Sequence, residues 1–173
     1  ATRRAALALP ALLAALLSAG RAAAQGTDRP LRIVVPFPPG GTSDIVARLI
    51  QPELQRLLGQ TVVVDNRGGA AGNLGADHVA KSAPDGTTVL LTDPGILTTS
   101  PSLFARLPYN PATDLEPVTA LIYAPYIMAV HPSVPARNAA ELATLAKANP
   151  GRINFAHSGV GALNHLTMLV VAQ

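Results

Sequence analysis

The chain has 173 residues, with 13 Lys and Arg against 10 Asp and Glu, and it contains neither cysteine nor tryptophan. The lack of cysteine excludes a disulfide framework and Cys-based zinc sites, and with so few aromatic residues the core must be built from Val, Leu, Ile and Ala. The formal charge of +3 is no sign of nucleic-acid binding, because Arg3, Arg4 and Arg21 fall in an N-terminal leader and the remainder carries ten basic and ten acidic residues.

Residues 1–24 read as a cleavable export signal. Arg3 and Arg4 give a charged start, Ala5 to Ala19 an apolar stretch, and Ala22-Ala23-Ala24 a small-residue cleavage site before Gln25. The apolar stretch is shorter than the roughly 20 residues of a membrane span. Ala5-Ala6 after the arginine pair favours the general export route over a twin-arginine route, and a buried or amphipathic helix is the alternative reading. Roughly 149 residues remain, the length of one ordinary domain.

After the leader, Leu31–Pro36 is a strand that runs through Phe37-Pro38-Pro39-Gly40-Gly41 into a helix over Thr42–Leu58. Ile45, Val46, Leu49, Ile50, Leu54, Leu57 and Leu58 line one side of that helix, Gly59 ends it, and Pro52 predicts a kink or two abutting helices. The valine-rich Thr61–Asp65 predicts a strand buried on both faces. A turn-rich loop, Asn66–Asn73, leads to a helix over Leu74–Ser82, a turn at Pro84-Asp85-Gly86 and a third strand over Thr87–Thr92. From Thr99 to Leu115, Pro101, Pro108 and Pro111 block regular helix and predict a surface crossover. Glu116–Val130 reads as one or two strands, Pro135–Ala148 as a helix opened by Asn138, and Arg152–Ala156 as a strand entering a second glycine turn, His157 to His165.

The opening order is βαβαβ, the pattern of a parallel, doubly wound sheet with ligand sites at the carboxyl ends of its strands. The loops at Pro38–Ser43, Arg67–Asn73 and Asp93–Thr98 all fall on that edge. At the first of them, unpaired helix N–H groups suit a carboxylate or phosphate, the glycines allow close backbone approach, and Thr42 and Ser43 are both able to cap the helix. The second glycine turn repeats the theme, and the two could face each other across a cleft.

Enzymatic motifs are incomplete. Gly159-Val160-Gly161 has two glycines of a dinucleotide fingerprint, but Asn164 takes the third place, and no Walker lysine follows a glycine turn. Ser158 lacks the flanking glycines of a nucleophile elbow, and adjacent His157 would point to the opposite strand face. The four histidines show no metal-ligand spacing. On generic grounds Asp44 is a helix-dipole partner, His165 a helix-start polar contact, and Asp65–Arg67 a structural ion pair. Tyr123 and Tyr126 either line a cleft or pack.

Together these blocks carry a resemblance. The leader, Arg32–Asp44, Asp65–Asp77, Ala83-Pro84-Asp85-Gly86 and Ser158-Gly159-Val160-Gly161 with His165 resemble the Bug (TctC) family, the periplasmic substrate-binding proteins of tripartite tricarboxylate transporters. The resemblance covers about Asp28 to Leu166. It implies an α/β fold of the type II periplasmic-binding-protein kind, with two lobes, each holding a doubly wound and mostly parallel sheet, and incomplete in this chain. Residues 25–115 would supply the first lobe's βαβαβ part and the crossover, and residues 116–173 the beginning of the second lobe.

The resemblance implies a non-enzymatic periplasmic receptor without a cofactor, a monomer when complete, that captures a small carboxylate through backbone and water contacts and passes it to membrane permease subunits. It carries ligand contacts onto Phe37, Pro39, Gly40, Gly41, Thr42 and Asp44 in the first turn. In the second turn it carries them onto Ser158, Gly159, Gly161 and His165. The sequence departs from the family at Ala162 and His157, where small hydroxyl residues are common, and at Gly68, where proline is common. Family members also continue past this chain's end, so a C-terminally truncated product that binds weakly by itself is expected. The alternatives are a periplasmic sensing module for a signalling partner and a serine hydrolase built on Ser158.

Overall fold

The structure is a computed structural model and describes residues 29–171. The expected export signal lies outside the described residues.

Three strands, β1 (Leu31–Val35), β2 (Val62–Asn66) and β3 (Thr88–Leu90), form a parallel sheet in the order β2-β1-β3. Ile33 is opposite Val64 on one side and Val89 on the other, so β1 is the central strand. Helix α1 (Thr42–Leu58) connects β1 to β2, and α2 (Asn73–Ala80) connects β2 to β3. Leu31, Ile33 and Val35 pack with Ala47 of α1 and with Val62, while Ala76 of α2 gathers Ile96 and Tyr109 into a second cluster. Phe37 touches both clusters. A central strand covered on both faces needs apolar residues at consecutive positions, which is why β1 is a continuous apolar run after Arg32. Burial of Ile33, Val34, Val35 and Val62 contributes about 1.5–3 kcal/mol each.

Helix α1 has the bounds that its sequence pattern predicts, and Gly59 ends it in the left-handed conformation at φ 64°. Two details differ. The helix continues through Pro52 as one element. Gln51 Nε2 donates to the Val62 carbonyl at 2.7 Å, and Gln55 Oε1 accepts from Val62 N–H at 3.1 Å, so side chains on either side of the proline fasten the helix to β2. Nor does Thr42 or Ser43 cap the helix: Gly41 holds the N-cap position, and no side chain bonds there.

The loop from β2 to α2 contains a single 3-10 turn, Ala70–Gly72, and approaches the end of β1 closely. A Cβ on Gly75 would lie 2.8 Å from Pro36 Cβ and 2.9 Å from the Arg67 carbonyl oxygen, so only glycine lets α2 pack there.

Beyond β3, α3 (Gly95–Thr98) forms in the loop expected over Asp93–Thr98, and α4 (Ser100–Leu103) forms within the crossover where the prolines predict no regular helix. Pro101 sits in the first turn of α4, where its missing N–H costs nothing. The crossover is also anchored inside, because Tyr109 is buried and its hydroxyl donates to Asn73 Oδ1 at 2.8 Å. The strands expected over Glu116–Val130 and Arg152–Ala156 do not form among the described residues. A strand requires a hydrogen-bonding neighbour, and these extended segments have none here; Val118, Tyr123 and Ile127 are largely exposed. Helix α5 (Ala139–Ala148) starts as predicted at Asn138, whose Oδ1 accepts from Glu141 N–H at 2.9 Å. Helix α6 (Leu163–Val171) follows the second glycine turn.

Candidate functional site

The carboxyl edge of the sheet gathers the residues of interest. Strand β1 delivers Phe37 to Gly41, with Gly40 at φ 89°, and α1 begins at Thr42. Pro39, Gly40, Gly41 and Thr42 are exposed. The N–H groups of Gly41, Thr42 and Ser43 have no acceptor among the described residues. The turn therefore keeps three donors and the positive end of a helix macrodipole open.

Asp44 is oriented differently from those amides. It is 3% exposed, its Oδ2 accepts from Gly40 N–H at 2.9 Å, and Arg48 Nε approaches its two oxygens at 3.0 and 3.1 Å. Asn66 Nδ2 donates to Asp44 Oδ1 at 3.0 Å and to the Phe37 carbonyl at 3.1 Å, while Arg48 donates to Asn66 Oδ1 at 3.2 Å. Hydrogen bonds from Arg48 and Gly40, outweighing the effect of burial, and then from Asn66, hold the Asp44 carboxyl down at about 2. The ionised carboxylate thus ties the turn to α1 and β2. Sequence reasoning missed Arg48 and Asn66. Arg48 lies one helical turn beyond Asp44, a spacing that could have marked it.

The loop after β2 lies between the two glycine turns. Gly68 packs against Phe37 and Pro38, and Gly159 lies against Ala71, to which its Cβ position is 3.4–3.8 Å away. Ala70 and Ala71 have φ of 49° and 54°, a region that non-glycine residues occupy only when neighbours compel it. Asn73 Nδ2, donating to the Ala70 carbonyl at 2.8 Å, is one such neighbour. Asp65 receives both Arg67, at 2.8 Å, and Arg32, at 3.0 Å, in the structural role foreseen for it.

The second turn also rests on α3 and α4. Gly161 faces Leu103 and Phe104, and Gly95 faces Leu163 at the start of α6. Gly159 N–H donates to His157 Nδ1 at 3.1 Å, and Gly161 N–H to His165 Nδ1 at 3.3 Å. Ser158 Oγ donates to Asn164 Oδ1 at 3.0 Å, so its hydrogen-bond partner is not an imidazole base. At the end of β3, burial pushes the Asp93 carboxyl up, opposed by a bond from Gly95 N–H. Tyr126, too, is pushed up by burial and then by Asp93, whereas Tyr123 is almost fully exposed. No group of three or more metal-ligating side chains occurs among the described residues, and none of their helices is long and apolar enough to cross a membrane.

The backbone is similar to those of solved proteins that include a periplasmic binding protein. MatC from Rhodopseudomonas palustris, solved with bound malate, superposes with a TM-score of 0.78 at 34% identity, covering 84% of this chain and 49% of that one. An R. palustris protein solved with adipate gives 0.78 at 37% identity, covering 82% and 48%. The periplasmic binding protein BugD gives 0.69 at 37% identity, covering 84% and 49%.

Residues 46–173 match the family model of the tripartite tricarboxylate transporter family receptor, TctC, and the chain belongs to that family. BugT of Bordetella pertussis is 40% identical over 156 residues, which are 87% of this chain and 48% of BugT. A protein encoded in the tcbD-tcbE intergenic region of Pseudomonas sp. (strain P51) is 38% identical over 145 residues, 84% of this chain and 43% of that protein. The chain thus spans about half the length of the curated relatives it matches.

Proposed function

We propose that this protein is a periplasmic solute receptor that captures a small carboxylate between its two glycine turns and delivers it to the permease of a tripartite tricarboxylate transporter. One observation carries the reading: the Phe37–Thr42 turn, with its unpaired amides, and the Ser158–Gly161 turn both pack on the same 68–71 loop. Phe37, Pro39, Gly40, Gly41 and Thr42 contact the ligand in the first turn, while Asp44, expected as a further contact, is buried with its oxygens taken by Gly40, Arg48 and Asn66 and holds the turn in place. Ser158, Gly159, Gly161 and His165 contact it in the second. Malate and adipate, held by structural relatives, are the first ligands to test.

Gly41 provides the test. Its φ of −76° suits proline, and a Cβ there would meet nothing nearer than the Pro38 carbonyl oxygen at 3.7 Å. Gly41→Pro deletes one open N–H, whereas Gly41→Ala retains it. Titration calorimetry with malate and adipate should show affinity close to the parent for Gly41→Ala. Gly41→Pro should lose about 10- to 100-fold, the value of one hydrogen bond to a charged group. Equal binding by both variants would remove the first turn from the site.

A further inference from the structure

The second turn withholds its own amides. The two glycine N–H groups donate to His157 Nδ1 and His165 Nδ1, and the two imidazole centroids are 4.5 Å apart. The Phe155 ring lies 5.7 Å from one and 6.0 Å from the other. Both bonds require a bare Nδ1, which means neutral rings with the hydrogen on Nε2.

An anion reaching this turn is a stronger acceptor than an imidazole nitrogen, because hydrogen bonds to an ionised group are roughly twice as strong as neutral ones. Once it takes the amides, two bare ring nitrogens face its oxygens, lone pair against lone pair. A proton on one ring turns that repulsion into a charge-assisted bond.

We propose that His157 and His165 form a proton-linked latch on the second turn: closed on the glycine amides when neutral, and opened by an anionic ligand that binds together with about one proton. The ligand class rests on the receptor reading above; the latch adds how that site is regulated. Two rings this close disfavour a double positive charge, so uptake stops near one proton.

Around the two glycines lie Ala71 from the loop before α2, Thr99 between α3 and α4, Leu103 at the end of α4 and Phe104 just after it, none of them ionisable. Ser158 and Asn164 are neutral. Asp93, beneath Gly95 and Leu163, is pushed up by burial, and Tyr126 is pushed up by burial and by Asp93. The ligand raises the imidazoles' affinity for protons. Binding therefore tightens as pH falls through the histidine range and weakens as pH rises past the bound-state value, by at most about tenfold per pH unit for one proton.

Two measurements on the chain test this. The first needs no ligand: 15N NMR of the histidine rings at about pH 8, with amide exchange at Gly159 and Gly161 corrected for its intrinsic pH dependence. Both rings should carry hydrogen on Nε2. His157→Phe should deprotect Gly159 alone, and His165→Phe should deprotect Gly161 alone. A hydrogen on Nδ1 of either ring, or protection unchanged in both variants, overturns the latch. The second is calorimetry with adipate at about pH 6.5 and 8, where carboxylates stay ionised, in buffers of different ionisation heat. Uptake of about one proton supports the latch. Equal affinity without uptake overturns it and leaves the receptor reading intact. No adipate or malate binding at any pH counts against the receptor reading, while the NMR result still decides whether the latch exists.

Discussion

Replacing Tyr109 with phenylalanine tests how the crossover supports the site. The Tyr109 hydroxyl donates to Asn73 Oδ1, and the two residues are 6% and 4% exposed. Phenylalanine has the same shape, so no cavity forms; the change removes one donor and leaves a buried amide oxygen without its partner. An unsatisfied buried acceptor costs about 1–3 kcal/mol, more than the ~1 kcal/mol net value of the bond itself. Urea unfolding followed by circular dichroism should show that loss as a lower midpoint with an unchanged slope. The effect reaches further than stability. Asn73 also holds the Ala70 carbonyl at 2.8 Å, so amide exchange in the 70–72 loop should rise in Tyr109→Phe. A double-mutant cycle with Asn73→Ala isolates the pair. A loss under about 0.3 kcal/mol, or full additivity in that cycle, would refute the claim that this bond anchors the loop.

Three further perturbations have defined outcomes. Asp44 is held at about 2, well below an ordinary carboxylate. Its contribution is therefore present above about pH 4 and is lost as pH falls toward 2; acid unfolding of Asp44→Asn should be less steep across that window than the parent's. Gly75→Ala places a Cβ 2.8 Å from Pro36 and 2.9 Å from the Arg67 carbonyl, an overpacking that should cost about 1–3 kcal/mol in the same urea assay. Asn138→Ala removes the cap on α5, whose Oδ1 accepts from Glu141 N–H at 2.9 Å, and should cost that helix about 0.5–2 kcal/mol, read as faster amide exchange over its first turn.

Local signals carried the first half of the chain. The apolar run of β1, the Gly59 terminus of α1 and the valines of β2 each act within a few residues of one another, whereas the apolar side expected on α1 leaves Ile45, Leu49, Leu57 and Leu58 exposed and Ala47 makes the core contact. They therefore fix element type and order. Asn138 is legible for the same reason, since a cap bonds only three residues ahead. The family resemblance rests on the leader, Arg32–Asp44, Asp65–Asp77, Ala83–Gly86 and Ser158–Gly161 with His165, and the match over residues 46–173 agrees with it.

Tertiary structure decided what depends on distant partners. Extended, apolar Glu116–Val130 looks like a strand in sequence, yet strand formation needs a neighbour's backbone, and no local pattern provides one. Pro52 breaks a bond inside its own helix, but Gln51 and Gln55 reach β2 and keep α1 continuous. Asp44 reads as a first-turn carboxylate near a ligand; only the arrival of Arg48 from the next turn and Asn66 from β2 makes it a buried fastener of the turn. The histidines were single residues in the sequence, and the fold of the second turn set their rings side by side with a glycine amide on each. Sequence fixes what a residue can do over one turn of chain, because that geometry is covalent; which charge it meets is set by packing, since its partner comes from another element.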